Sequence, residues 1–531
     1  MNEPLRSYDV IIVGGGISGL TASAYLSQYG YRTILFEQQD IFGGLINSFD
    51  YKGFHLDGGI RSIESSGVVK PLIRDLGLDI ELRRSHVTLG IKDQVIPLSD
   101  VSNLEDYQKL LISLFPENEK DILKIFRKIK QILKYMDVLY GIDNPMIVDF
   151  KKHPTYVRKT LLPWLVKFLP TLIKIDQLNQ PVEGYLKKFT NHQALIDMIA
   201  QHFFKDTPAF FALGYFSIYF DYHYPKGGSG MLPLALENYI KEQGGLLQPQ
   251  TKIVSIDLES KTVRDQTGMI YSYHKLIWAA DMNRFYQAIN LDYLNNSKLK
   301  DKVTARLELL KNKIGAESVL SVYALVDLDP SYFKARSSEH FFYTPKSEGL
   351  NHFSLPKAPT MESLIPSLKK FLDFNTYEIS IPVLRDETLA PKGQTALIIS
   401  ILFDYETISY IEQKGYYKEF KAFIESYFVD ILSDSIYPNL KDVVIETFAS
   451  TPLSFNKRVG STDGAIFGWS YTNQVMPAVH KMSKITKSIH TGLPHIYQAG
   501  QWTFSPAGVP ISIITGKLAA DAAKKHLKKI K

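Results

Sequence analysis

The sequence predicts an α/β fold of two interleaved domains, and three observations predict it. The chain has 531 residues, well past the roughly 250–300 at which a single core stops growing. It opens on strand, glycine turn and helix. Further glycine-rich stations recur in the middle and near the C-terminus, separated by two long stretches without them. The composition, 45% hydrophobic and 22% charged, is that of a globular chain and excludes a disordered or collagenous one. There is no cysteine, so a Cys nucleophile, a zinc–thiolate site, an iron–sulfur cluster and a cysteinyl cofactor bond are all excluded. The formal charge of +6 is small for this length and does not point to nucleic acid.

The first unit runs Asp9-Val-Ile-Ile-Val-Gly14-Gly15-Gly16-Ile17-Ser18-Gly19-Leu20. Val10–Val13 reads as a buried strand and Leu20–Tyr29 as a helix, so the apolar run from Val10 to Leu26 is not a membrane span. Gly14 makes the tight turn, Gly16 lets a pyrophosphate approach the backbone, and Gly19 lets helix pack on strand. Ile17 and Ser18 open the helix, whose N–H groups and dipole suit phosphate. A second strand, Arg32–Phe36, delivers Glu37 eighteen residues after Gly19, where a carboxylate accepts hydrogen bonds from an adenosine ribose; Gln38 follows it. This is a Rossmann-type unit, and by itself it does not choose between NAD and FAD. Met1–Tyr8 carries Glu3 and Arg6 but no charged-then-apolar leader pattern, so a cytoplasmic chain is expected.

The other stations are Gly43-Gly44, then Phe54-His-Leu-Asp57-Gly58-Gly59-Ile60-Arg61, then Tyr224-Pro-Lys-Gly227-Gly228-Ser-Gly230. Strand-like runs at Lys252–Ile256 and Leu276–Asp281 follow a helical stretch, Pro233–Gln243. Near the C-terminus stand His495-Ile-Tyr-Gln-Ala499-Gly500-Gln501-Trp502 and Ser505-Pro-Ala-Gly508-Val509-Pro510, with a closing helix from Ile511 to Lys525. Here the sequence resembles the FAD-dependent family of phytoene desaturases, carotenoid isomerases and retinol saturases, from Tyr8 to about Ala523. The Gln501-x-Thr503-Phe504 run is most similar to the retinol-saturase branch, and Ala449–Trp469 resembles bacterial members.

The resemblance implies a glutathione-reductase/amine-oxidase-like FAD-binding domain from residues 1–75, 224–290 and 450–531, interleaved with an α+β substrate domain from 76–223 and 291–449. It implies non-covalent FAD, with Gly14, Gly16, Gly19 at the pyrophosphate, Glu37 at the ribose and the backbone of Val254 at adenine. Gly43, Gly44, Leu45, Gly59, Ile60 and Arg61 would lie along the isoalloxazine, and Ala280, Gly500, Gln501, Gly508, Val509 and Pro510 would complete the site. Flavin amine oxidases usually carry Arg directly after the glycine doublet. Leu45 stands there instead, which counts against amine chemistry and for an apolar channel.

Residues 76–223 and 291–450 are rich in Leu, Ile, Phe and Tyr. Ser102-Asn-Leu-Glu105 reads as a capping box opening a helix to about Phe115. Glu119–Tyr140 reads as a helix with Ile122, Phe126, Ile129, Leu133 and Met136 on one stripe and five basic residues opposite. Arg158–Lys174 is apolar, contains Trp164, is interrupted by Pro163 and Pro170, and carries Lys159, Lys167 and Lys174. Two readings stay open for it: a core-packed helix with a solvated basic face, or a surface that enters a lipid headgroup layer. The lysines at 524, 525, 528, 529 and 531 add to the second or simply meet a helix dipole. Aromatics at 203–204, 210–211, 215–216 and 219–220 are core or tunnel. The thirteen histidines show no metal spacing, and no metal site is expected.

Flavin accepts or donates hydride without a protein nucleophile, but a proton must still move when a C–C bond is desaturated or a C=C reduced. Arg61, Glu64, Asp221 and His223 are the candidates near the expected ring, each with an ordinary structural alternative. The expected substrate is an apolar lipid or polyene taken from a membrane surface, with a separate electron donor or acceptor of unspecified kind. Two other readings remain: a flavin amine oxidase, and a non-catalytic isoprenoid-binding escort on the same fold.

Overall fold

A computed structural model describes residues 6–357 and 360–529; the N-terminal reading at Glu3 and the tail residue Lys531 lie outside them. In chain order, β1 (Arg6–Val13), α1 (Ile17–Gln28) and β2 (Thr33–Phe36) form the opening unit. The short strands β3 (Ile63–Glu64) and β4 (Leu82–Arg84) precede a hairpin of β5 (Val87–Ile91) and β6 (Gln94–Leu98). A helical region holds α2 (Glu119–Tyr140), α3 (Leu162–Asp176) and α4 (Ala209–Tyr219). The chain then returns through β7 (Tyr222–Pro225), α5 (Met231–Glu242), β8 (Leu246–Gln248), β9 (Ile253–Asp257), β10 (Thr262–Asp265) and β11 (Ile270–Trp278). After α6 (Ser297–Leu310) come β12 (Ser318–Val326), β13 (His340–Thr344), β14 (Tyr377–Ser380), β15 (Thr395–Phe403) and β16 (Val444–Ser450). Strand β17 (Ile496–Gln498) and helix α7 (Val509–Leu527) close the chain.

Two seven-stranded sheets organise these elements. The first has the order β8-β2-β1-β11-β10-β9, with β17 also beside β11. Strands β8, β2, β1, β11 and β17 are mutually parallel, as crossover helices require. Strand β11 serves two neighbours on one edge: its first residues pair antiparallel with β10 and Leu276–Trp278 pair parallel with β17. The second sheet, β16-β12-β15-β14-β13-β5-β6, is antiparallel except where β13 meets β5. Its inner strands read as continuous apolar runs because both faces are covered, as in Thr395–Phe403. A small third sheet, β3-β7-β4, lies between the two regions in sequence and supplies Glu64 to the site described below.

Helix α1 is buried along nearly its whole length, under α7 and α5 on one side and the sheet on the other. Close packing there rests on glycine: a Cβ at Gly19 would fall 1.9 Å from the Gly14 carbonyl oxygen. Helix α2 buries the five residues of its predicted stripe together with Ile125, Ile132 and Leu139.

Four expectations are corrected here. The capping box at Ser102 does not form, because Ser102 is already helical and its hydroxyl binds Asp100 at 2.5 Å. Pro163 and Pro170 do not end the helix: helical backbone runs from Pro154 to Asp176, widened to a π-helical turn at Val157–Leu161 just before Pro163, and Pro170 is accommodated inside α3. Trp164 faces inward, donating its indole N–H to the Val138 carbonyl at 2.5 Å and stacking on Phe168. Residues 291–310, placed with the second domain by sequence, pack through Leu294, Val303 and Leu310 against the first sheet.

Gly19→Ala is expected to lower stability by about 1–3 kcal/mol, since the Gly14 backbone it would strike cannot yield. Gly184→Ala, in an open helical position with nothing within 4 Å, is expected to be neutral or slightly stabilising. Thermal denaturation of the two variants beside the parent checks both; equal melting temperatures would refute the packing account.

Candidate functional site

Two adjoining cavities run along the C-terminal ends of the parallel strands, the position at which doubly wound sheets bind ligands. The first measures about 370 Å³ and the second about 940 Å³. Gly14, Glu37, Ala280, Asp281 and Val459 line both, so the two meet beside the opening glycine turn.

The meeting point is built by β1, α1 and β2. Chain direction turns at Gly14, whose N–H is held by the Phe36 carbonyl at 2.9 Å. Gly16 caps α1 without any side-chain bond, the first turn holds no acidic residue, and a Cβ on Gly16 would meet nothing within 4 Å. The helix N-terminus is therefore uncapped and faces empty space, the arrangement that receives phosphate. Helix α7 is likewise uncapped at Gly508 and opens on the same cavity, with Pro510 at its start. Glu37 is half-buried and its two oxygens accept the N–H groups of Gly15 at 2.7 Å and Gln39 at 2.9 Å. Burial pushes its carboxyl above the usual range, against those bonds.

Of the expected cofactor residues, Gly14, Gly16, Ile17, Ser18, Glu37, Gly43, Gly44, Leu45, Gly59, Ile60, Arg61, Ala280, Gly500, Gln501, Gly508 and Val509 line the first cavity. Gln38 and Val254 line the second. Gly19 and Pro510 are not in either wall: Gly19 is a packing residue, and Pro510 sits in the first turn of its helix. The Tyr224–Gly230 station is also outside the wall. It is bound behind it by Asp57, which accepts the Tyr224 hydroxyl at 2.8 Å and the Ser229 N–H at 3.0 Å.

The proton-transfer candidates separate. Asp221 is turned away, accepting the Ser66 N–H at 2.7 Å, and His223 lies in β7 with Nδ1 2.7 Å from the Asp221 carbonyl; neither lines the cavity. Arg61 does reach the wall, yet its guanidinium is buried and engaged: it donates to the carbonyls of Asp57 and Gly59 and, at 3.3 Å each, to Ser321 and Ser400. It bridges the two sheets and is not free for proton transfer. Glu64 lines the cavity and has no hydrogen-bond partner from another residue. Burial raises its carboxyl to about 7, with the nearby Asp221 charge adding to the effect.

Beyond the glycine-lined part, the first cavity continues into a chamber walled by Phe203, Phe204, Phe342, Phe467 and the α4 residues Phe211, Tyr215 and Tyr219. The last three recur every four residues and so share one helix face, while Phe216 points to the core. A polar rim of His202, His340, Glu378 and Ser62 accompanies them. His202 meets the Tyr219 hydroxyl at 3.0 Å, and burial draws its pKa down to about 4. His340 Nδ1 is 3.1 Å from Ser62 Oγ and its Nε2 is 3.1 Å from Glu378. Sequence reasoning missed this rim, and also Asn47 and Arg458, whose side chains are bonded at 2.9 Å across 411 residues. No local pattern marks such a pairing; only the spacing of 211, 215 and 219 was readable.

A profile of NAD(P)-binding Rossmann-like domains matches residues 12–76. Over 98% of this chain and 99% of the relative, the sequence is 21% identical to a 4,4'-diapophytoene desaturase (4,4'-diaponeurosporene-forming) of Staphylococcus aureus. Among solved structures, an oxidoreductase from Methanosarcina mazei matches with a TM-score of 0.61 at 13% identity, covering 97% of this chain and 99% of that one. Putrescine oxidase bound to putrescine matches with a TM-score of 0.60 at 14% identity, covering 99% and 100%. The fold and the site thus define a Rossmann-type dinucleotide-binding protein of oxidoreductase architecture, with a second sheet closing over the nucleotide site. Its full-length sequence similarity is to a carotenoid desaturase.

Because the Glu64 carboxyl is held at about 7, above its ordinary 4.5, the folded state binds a proton that the unfolded chain has released between those pH values. Stability is therefore expected to fall as pH rises from about 4.5 to about 7, by at most about 3 kcal/mol from this group. Glu64→Gln should flatten that part of the profile, as read by denaturant midpoints from pH 4 to 8; an unchanged slope would place Glu64 in solvent.

Proposed function

We propose that this protein is an FAD-dependent oxidoreductase acting on carbon–carbon bonds of a long apolar lipid of the polyene or isoprenoid type. The observation that carries the reading is the aromatic chamber that is continuous with the glycine-lined cavity, whose wall also includes Leu45. The glycine-lined part fits a dinucleotide: two uncapped helix N-termini suit its pyrophosphate and polar ring edge, Glu37 suits its ribose, and the second cavity at Val254 suits its adenine. A dinucleotide that extends from Val254 through Glu37 to Gly500 and Gly508 has its reactive end at the chamber, which is the disposition of FAD. The cofactor is held non-covalently, as a chain without cysteine suits, and when bound it supplies hydride transfer. The chain's own task is to admit an apolar substrate, align it and exclude water. Full-length similarity to a desaturase supports C–C chemistry over amine chemistry.

The reading extends to a membrane surface as the substrate's source. On α3, Leu162, Val166, Leu169 and Ile173 form one stripe, and the last three are 75%, 62% and 65% exposed. Lys159, Lys167 and Lys174 lie among them, and no acidic residue occurs before Asp176. Helix α3 rests on α2, which rests on α4, whose other face walls the chamber. An apolar helix face ringed by lysines suits the headgroup boundary of an anionic bilayer. No helix among the described residues is long and apolar enough to cross a membrane, so the proposed contact is peripheral.

FAD is expected to co-purify and to leave a yellow supernatant after acid denaturation; a colourless protein that also fails to take up added FAD would sink the reading. Glu37→Ala is expected to weaken FAD binding roughly ten- to a hundredfold, the weight of a charge-assisted bond of ~1.5–3 kcal/mol. Flavin titration of the apoprotein measures it. Binding to anionic liposomes should exceed binding to neutral ones and fall with salt, at about 1 kcal/mol per lysine near the surface. Replacing Lys159, Lys167 and Lys174 with Glu should lower turnover of liposome-embedded polyene more than of detergent-solubilised polyene. Indifference to liposomes of either charge would remove the membrane from the account.

A further inference from the structure

We propose that Glu64 is the proton-exchanging residue of this site, taking the proton from substrate carbon in desaturation and giving it in saturation. The inference rests on the FAD-oxidoreductase reading above and adds the one group that the hydride chemistry leaves unassigned.

Four observations place it there. Glu64 lines the first cavity, on the short strand β3, and its carboxyl has no hydrogen-bond partner from another residue. The other charged or titratable groups of that cavity have neighbours: Glu37 two backbone N–H groups, Arg61 carbonyls and serines, Arg458 Asn47, His340 Ser62, His202 and Tyr219 each other, Tyr215 and Tyr222 each other, and Glu378 stands 3.1 Å from His340 Nε2. Asp281, also in the wall, accepts the N–H groups of Thr462 and Arg284. Glu64 also stands at the entrance to α7, for a Cβ placed on Gly508 would lie 3.3 Å from its Oε1. Glycine there keeps the carboxyl open to the cavity. Finally, β3 pairs Glu64 with Tyr222, so backbone fixes the carboxyl at the edge of the aromatic chamber. An unpartnered carboxyl in a cavity wall is costly, and burial together with the nearby Asp221 charge raises it to about 7, the range in which one group both takes and gives a proton.

The step balances as follows. In desaturation two C–H bonds of neighbouring carbons break and one C=C bond forms. One hydrogen leaves with its electron pair as hydride to oxidised FAD, which is thereby reduced. The other leaves as a proton to the Glu64 carboxylate, and the electron pair of its C–H bond becomes the new π bond. The proton then passes to water. Saturation is the same sequence reversed, with reduced FAD as the hydride source. The facing groups on packed elements are Asp221, whose charge adds to the rise, and the Tyr140 and Tyr215 hydroxyls.

Glu64→Gln and Glu64→Asp, both reconstituted with FAD, test it. The Gln variant should keep its flavin spectrum and content, while kcat on a conjugated polyene or its saturated partner falls about 10²–10⁴-fold and the pH limb near neutrality disappears. The Asp variant should recover part of kcat with a shifted limb. Infrared difference spectra of the apoprotein, titrated from pH 5 to 9, should show a carboxylic C=O band lost near neutral pH in the parent and absent in Glu64→Gln. A kcat and pH profile unchanged in the Gln variant, or a loss confined to KM, overturns the assignment; the second result would make Glu64 an anchor for substrate. So would a carboxyl band that does not titrate near neutrality. A parent protein that turns over no polyene sinks the oxidoreductase reading separately, and the infrared titration still decides whether Glu64 carries the proton.

Discussion

Everything in the site depends on Arg61 being held between the two sheets. Its guanidinium is buried with no carboxylate in salt-bridge contact among the described residues, and its two terminal nitrogens donate to the Asp57 and Gly59 carbonyls and to Ser321 and Ser400, while Nε is left without a partner. Ser321 and Ser400 face each other on β12 and β15 at 2.8 Å, so one side chain joins a loop of the nucleotide region to the centre of the second sheet. Tyr323 completes the enclosure: its hydroxyl meets the Asp57 carbonyl at 3.1 Å and its ring lies beside the guanidinium. Asp57 does the same work in the other direction by binding Tyr224 and Ser229. The stations that looked like separate glycine motifs are therefore one buried polar network, and that network holds the cavity wall.

The nucleotide half was legible because its chemistry is local. Strand, turn, helix and Glu37 lie within forty residues, and each glycine answers a backbone constraint that sequence spacing exposes. The chamber was legible only in part. The four-residue period of Phe211, Tyr215 and Tyr219 puts them on one face, but nothing in the period says whether that face meets core or cavity. His340 and Glu378 come from neighbouring strands of a sheet whose order, β14 beside β13, is not deducible from either strand alone. Asp221 and His223 were attractive because they stand next to a glycine station, and they failed because that station packs behind the wall. Proximity in sequence to a motif is not proximity to its ligand.

Helix α3 illustrates the converse. Its prolines suggested interruption, yet helical backbone passes through both, with a π-helical turn at Val157–Leu161 ahead of Pro163, and Trp164 turned inward onto Phe168. What remains outside is aliphatic and basic. A surface of that kind is expensive in water and inexpensive at a headgroup boundary, so the same residues that look misplaced on a globular protein become coherent beside a bilayer.

The double neighbour of β11 has a further consequence, for biosynthesis. Its C-terminal half waits for β17, and α1 waits for α7, partners that leave the ribosome nearly five hundred residues after α1 does. At translation speeds of about 5–20 residues per second, the apolar flanks of α1 stay uncovered for roughly 25–100 s. The opening unit, although it emerges first, cannot finish its sheet or close its nucleotide site until Ile496–Gln498 and Val509–Leu527 have been made. Nascent protein must therefore be shielded along α1, cofactor loading belongs after β17 and α7 have formed, and loss of Ile496–Leu527 would unmake the opening unit.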